Sequence, residues 1–200
     1  MLIPAGTELL LLGLYDTEVN VYEIGLSKMA NLSHGLDFQK LESLNACLKA
    51  VKDWFDLYFT ISPALYIGFS QQTYSQLAHC SIALYRLSTF EDRDWDRRLV
   101  QKTLDFSLVL GHIAEKFSEV KLAAKLDCDS SEDKDVYTGL SRKFASFKAW
   151  YDSREAVDSM NAEVPGTDEA MHEPSANLMD DAWLNDILSF GEYLFEPYLQ

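Results

Sequence analysis

The first residues to test for chemistry are His79, Cys80 and His112, because imidazole and thiolate are the usual ligands of a tetrahedral zinc site. His79 and Cys80 are adjacent, so on a helix they point about 100° apart, and no C-x-x-C, H-E-x-x-H or EF-hand spacing occurs. This pattern predicts satisfied histidines and buried thiols, with no metal. Nucleophilic catalysis fares no better. G-x-S-x-G is absent, and Cys128 stands between Asp127 and Asp129, whose charges disfavour a thiolate. There is no glycine-rich phosphate loop. The pairs Asp180-Asp181 and Glu132-Asp133 are of the type that holds magnesium, but that role needs carboxylates converging across a cavity. Aspartates at a helix start are explained by the helix dipole alone. The expected catalytic, cofactor-binding and metal sets are therefore empty, and an enzyme is not expected. Arg93, Arg97 and Arg98 surround Trp95, with Glu91, Asp92, Asp94 and Asp96 interleaved. An ion-pair network on the surface is expected there.

One stretch carries a functional signal. Met179 to Gln200, MDDAWLNDILSFGEYLFEPYLQ, sets aromatic and aliphatic side chains among Asp180, Asp181, Asp186, Glu192 and Glu196. Trp183, Ile187, Phe190 and Leu194 fall on one helical face, with Leu184 and Leu188 beside them. Acidic residues keep such apolar anchors solvated until a partner groove accepts them, which is the logic of amphipathic activation segments. The same composition serves a C-terminal helix folded back on its own core, and at this stage both readings stand. The candidate partner-binding residues are Trp183, Leu184, Ile187, Leu188, Phe190 and Leu194.

Net charge limits the partners. Up to Asp158 there are 23 acidic and 17 basic side chains, a balance of −6, and the remaining residues hold nine acidic ones and no Lys or Arg, a balance of −9. Nucleic-acid affinity comes largely from counterion release by clustered Lys and Arg, so direct binding of nucleic acid by this chain is not expected. The apolar run Leu9 to Leu14 follows Glu8 rather than a basic segment and has no small-residue cleavage site after it, unlike a secretory signal. No run reaches the roughly 18 to 20 apolar residues of a membrane span. Three widely separated cysteines, Cys47, Cys80 and Cys128, argue against a disulfide framework and for a reducing compartment.

The elements that must position these residues all read as helices. Leu12, Tyr15, Val19, Tyr22, Leu26 and Met29 predict a first helix over about 7–29. Leu41, Leu44, Leu48, Val51, Phe55 and Tyr58 predict a second from Asp37 to about Thr60, ended by Ser62-Pro63. Residues 70–88, SQQTYSQLAHCSIALYRLS, are apolar on most of the helical circumference, the mark of a helix surrounded by others. A short helix follows from Trp95 to about Lys102. Phe106, Leu110, Ile113, Phe117, Val120 and Ala124 mark a helix over about 104–125, in which Gly111 signals close packing. Leu140, Phe144, Phe147 and Tyr151 mark a last one over about 134–157. No strand is needed, so the expected fold class is all-α: a bundle of five to six helices over 7–158, a disordered linker over 159–178, and a short amphipathic helix within 179–200.

The motif ending Ala83-Leu84-Tyr85-Arg86-Leu87-Ser88, its acidic turn and Trp95-Asp96 resemble the C-terminal regulatory region of fungal zinc binuclear cluster transcription factors. Tyr22-Glu23-Ile24-Gly25-Leu26, the helix carrying Leu44, Cys47, Leu48, Ala50 and Phe55, and the segment Trp183-Leu184-Asn185-Asp186-Ile187-Leu188 are similar to elements of that family in the same order. The resemblance implies transcription regulation by protein contact in the nucleus, with a coactivator or another regulatory protein as partner. It also implies a DNA-binding cluster of six cysteines and two zinc ions, which this sequence does not contain, so no zinc ligand or DNA contact is carried over. Met1 is then an internal methionine of a longer frame, a truncated gene's start, or the start of a stand-alone regulator. The alternative is a cytosolic helical scaffold without transcriptional activity; homo-oligomers fit either reading.

Overall fold

The computed structural model describes residues 5–23, 37–125 and 135–162. Within them are α1 (Ala5–Tyr22), α2 (Asp37–Thr60), a 3-10 helix (Pro63–Gly68), α3 (Gln71–Thr89), α4 (Arg97–Thr103), α5 (Phe106–Ala123) and α6 (Val136–Ala162). No strand occurs among the described residues, and no described helix is long and apolar enough to cross a membrane. The all-α bundle is the fold.

Its axis is α3. The Ser70 side chain caps the helix by accepting from the Thr73 amide, and Leu77, Cys80, Ser81, Ala83, Leu84 and Leu87 are almost wholly buried. Ser81 lies inside this core because its hydroxyl donates to the Leu77 carbonyl, 2.7 Å away on the preceding turn. α1 and α2 pack on each other, as do α5 and α6, and α3 touches α1, α2, α4 and α5.

The 3-10 helix between α2 and α3 delivers Tyr66 into a cluster of buried rings. Tyr66 lies 5.2 Å from Tyr58 of α2, 4.7 Å from Phe69 and 5.8 Å from Phe117 of α5, centroid to centroid. Phe117 continues the chain of rings to Phe144 of α6 at 5.8 Å. Burying rings of this size contributes about 1.5–3 kcal/mol each, and the Tyr74 hydroxyl fixes the geometry by donating to the Tyr66 carbonyl at 2.8 Å. Pro63 opens the 3-10 helix, where a missing N–H does no harm.

Several boundaries differ from expectation. The first helix is described as ending at Tyr22, whose side chain is 36% exposed; Leu26 and Met29 lie outside the described residues. α1 buries Leu12 and Val19 while exposing Leu10, Leu14 and Val21 on the opposite side. α4 starts after Trp95, because Asp96 caps it by accepting from the Arg98 amide. α6 runs to Ala162, four residues past the expected end of the bundle at Asp158. Gly111 marks no unusually close approach: a Cβ there would meet the Lys148 stem of α6 at 3.5 Å, an ordinary contact distance.

Candidate functional site

The six residues expected to bind a partner, Trp183, Leu184, Ile187, Leu188, Phe190 and Leu194, lie outside the described residues. Within the bundle, polar chemistry gathers in three places.

The first is the junction of α1 and α3. His79 Nδ1 lies 2.7 Å from Asp16 Oδ1, and Nε2 lies 3.3 Å from Glu23 Oε2. Arg86, two turns further along α3, is 3.9 Å from the same Glu23 carboxylate. Hydrogen bonds to Asp16 and then Glu23 raise the His79 pKa to about 9 against the opposing effect of burial. The same histidine is the main cause holding Glu23 below its ordinary value. Helix geometry alone did not keep His79 and Cys80 apart, since Asp16, His79 and Cys80 each offer a ligand atom and all lie within 4.8 Å of one another. As they stand, the side chains form an ion-pair cluster, with His79 held between two carboxylates. Burial, reinforced by Asp16, pushes the Cys80 thiol well above its usual range. Burial, reinforced by Glu23, pushes the Cys47 thiol to about 12. Neither thiol is a nucleophile at neutral pH.

The second is the turn after α3. Trp95 is 7% exposed, and its Nε1 donates to the Leu87 carbonyl at 2.9 Å. One indole therefore satisfies a carbonyl in the last turn of α3 and folds the acidic turn back on it. Asp92 pairs with Lys40 of α2 at 2.5 Å and also accepts from the Asp94 amide, and Lys40 is the main cause of its lowered pKa. The expected network of Arg93, Arg97 and Arg98 with neighbouring acids does not form. Asp96 caps α4, Asp92 reaches across to α2, and the three arginines meet no carboxylate among the described residues. An acid committed to a backbone N–H or to a distant lysine cannot also serve its sequence neighbours. That commitment depends on tertiary structure.

The third is a cleft of about 560 Å³ between α4, α5 and α6, lined by Arg97, Arg98, Phe106, Leu108, Tyr151 and Asp152 among others. Its floor is aromatic: Phe106 and Tyr151 meet edge to face at 4.9 Å, and Tyr85 of α3 lies 5.7 Å from Phe106. Its carboxylates are occupied. Asp105 accepts from the Leu108 amide, and Asp152 accepts from Ser107 at 2.5 Å and Lys148 at 2.6 Å. Lys148 and Ser107 accordingly hold the Asp152 pKa down, and Glu155 stands beside the Tyr151 hydroxyl. The arginines at 97 and 98 are the sequence signal for this cleft, and the acids Asp92 and Asp96 expected beside them are engaged elsewhere.

A family model described as ATEG07667_C, a C-terminal domain, matches residues 63–199. The transcription factor opdL of Penicillium oxalicum is 36% identical over 116 residues, covering 58% of this chain and 20% of its own length. A transcription factor of Aspergillus terreus is 26% identical over 172 residues, covering 76% of this chain and 28% of its own length. The chain thus spans only 20% and 28% of the length of these two curated relatives. No solved structure matches.

Proposed function

Because the chain belongs to the ATEG07667_C family of C-terminal domains and is similar to the C-terminal region of fungal transcription factors, we propose that it regulates transcription by protein contact. The observation that supports this most is the segment Met179–Gln200, which the family match includes almost to its end and whose acids and aromatics suit a partner groove. In this reading the helices up to Ala162 form a regulatory bundle, 163–178 link it to the segment, and 179–200 contact a coactivator in the nucleus. DNA recognition belongs to another part of a longer protein. The described residues offer packing helices, closed ion-pair clusters and protonated thiols, which suit a contact domain better than a catalytic one.

The test is a reporter assay with the chain tethered to an unrelated DNA-binding domain. Trp183→Ala with Ile187→Ala is expected to abolish most activation, since a few central aromatic and aliphatic anchors dominate such contacts. Undiminished activation would remove the segment from this role.

A further inference from the structure

We infer that the cleft between α4, α5 and α6 is the intramolecular seat of the Met179–Gln200 segment. Three observations converge on this occupant. The first is charge. The cleft's Asp105 and Asp152 are engaged by backbone, serine and lysine donors, while Arg97 and Arg98 meet no carboxylate among the described residues. The lining sets Arg97 and Arg98 beside Asp105, Asp152 and Glu155, so what it offers an acid is a local pair of guanidinium groups and not a net positive charge. Residues 159–200 carry nine acids and no Lys or Arg, and the Arg97–Arg98 edge of the cleft is complementary to them.

The second is apolar surface. Leu108, 62% exposed at the rim, and the half-buried Tyr151 ring, backed by buried Phe106, offer contact area to a face that carries Trp183, Ile187 and Phe190. At about 560 Å³ the cleft can accept side chains of that size.

The third is the path of the chain. α6 borders the cleft through Tyr151, Asp152 and Glu155 and runs on to Ala162, about 10 Å further at 1.5 Å per residue. From there to Met179 is a tether of about 16 residues, with a root-mean-square span of roughly 20–24 Å. That is enough to return to the cleft, and a tether this short sets an effective concentration on the order of millimolar. Even a weak contact is then populated. The family match adds coherence: it begins at the 3-10 helix, includes every element of the cleft and ends at residue 199, so cleft and segment belong to one unit.

The inference uses the segment's composition and not its activating role, so its test is physical. The full chain carrying Cys128→Ser and Asn185→Cys takes a nitroxide at residue 185, because Cys47 and Cys80 are buried. Amide signals of Gln101, Leu108 and Asp152 are then compared with the nitroxide oxidised and reduced. The expected result is at least a threefold loss of intensity at these three positions. Arg97→Glu with Arg98→Glu should reverse it, and so should Asp180→Lys with Asp181→Lys and Asp186→Lys, which leaves the bundle's own sequence untouched. Four results would overturn the inference: no broadening, broadening that both charge reversals leave in place, broadening centred on exposed Leu10 and Leu14 of α1, or broadening that requires mixing labelled and unlabelled chains. A reporter result of either sign leaves this outcome unchanged, so failure of the contact and failure of the activation role are separable.

Discussion

His79 is a histidine with a carboxylate on each ring nitrogen, and it makes the bundle's stability depend on pH in a defined direction. Its folded pKa, about 9, lies above the ordinary 6.5, so its contribution is fully present below about 6.5 and is lost as pH rises through about 9. Glu23 runs the other way. Its pKa is lowered from 4.5, so its contribution is present above about 4.5 and is lost as pH falls through the lowered value. Both contributions are in full force between these limits. The His79 side chain is a quarter exposed, so solvent screening trims its contribution to on the order of 2 kcal/mol. Denaturant melts of the parent and of His79→Gln are expected to differ most near pH 6 and to converge by about pH 9.5; a constant difference across that range would show that the imidazolium charge contributes nothing. A lone histidine on an apolar helix is readable in the sequence as satisfied. Which groups satisfy it is not readable, because Asp16 and Glu23 lie some sixty residues away and only the packing of α1 on α3 brings them in.

At the level of elements, hydrophobic period was a reliable guide wherever a helix has one buried face. α2 begins and ends where its stripe and the Ser62-Pro63 break predict, and the α5 stripe from Phe106 to Val120 is buried as expected. In α1 the stripe Leu12, Tyr15 and Val19 faces the core as its period predicts, but Leu9, Leu10, Leu14 and Val21 are apolar yet exposed, so composition alone cannot tell inside from outside. Capping set the remaining boundaries: Asp96 and Asp105 start α4 and α5 a residue or two later than apolar pattern alone suggests. Two substitutions probe this scale. Trp95→Phe keeps most of the ring but leaves the Leu87 carbonyl without its donor, at a cost of about 1–2 kcal/mol; an unchanged melting midpoint would mean that the indole acts by its bulk alone. Gly111→Ala should raise stability by up to about 1 kcal/mol. The added methyl meets Lys148 carbons at 3.5 and 3.6 Å, ordinary contact distances on a flexible stem, and alanine is the better helix former. A loss of stability there would mean that the α5–α6 approach tolerates no added volume.

For the whole molecule, the decisive property is that α3 touches both helix pairs, so neither pair has an independent core. Leu84→Ala, at a fully buried position on that helix, should cost about 2–5 kcal/mol. Fluorescence from Trp54 on the α2 side and from Trp150 on the α6 side should report one shared unfolding midpoint; two separate transitions would show that the pairs fold apart. Charge separation at this scale, −6 up to Asp158 and −9 beyond, was legible from composition. The place where the negative charge finds an answer was not, because it depends on which of the bundle's acids are already engaged. The sealed thiols of Cys47 and Cys80 have a practical consequence of their own. Both are shut in and held protonated, so an alkylating reagent modifies them only during moments when the α1–α2–α3 corner breathes open. Each 1.4 kcal/mol of opening free energy slows that modification about tenfold. The pair is therefore a built-in stopwatch, one that times local opening in the native chain without any engineered probe.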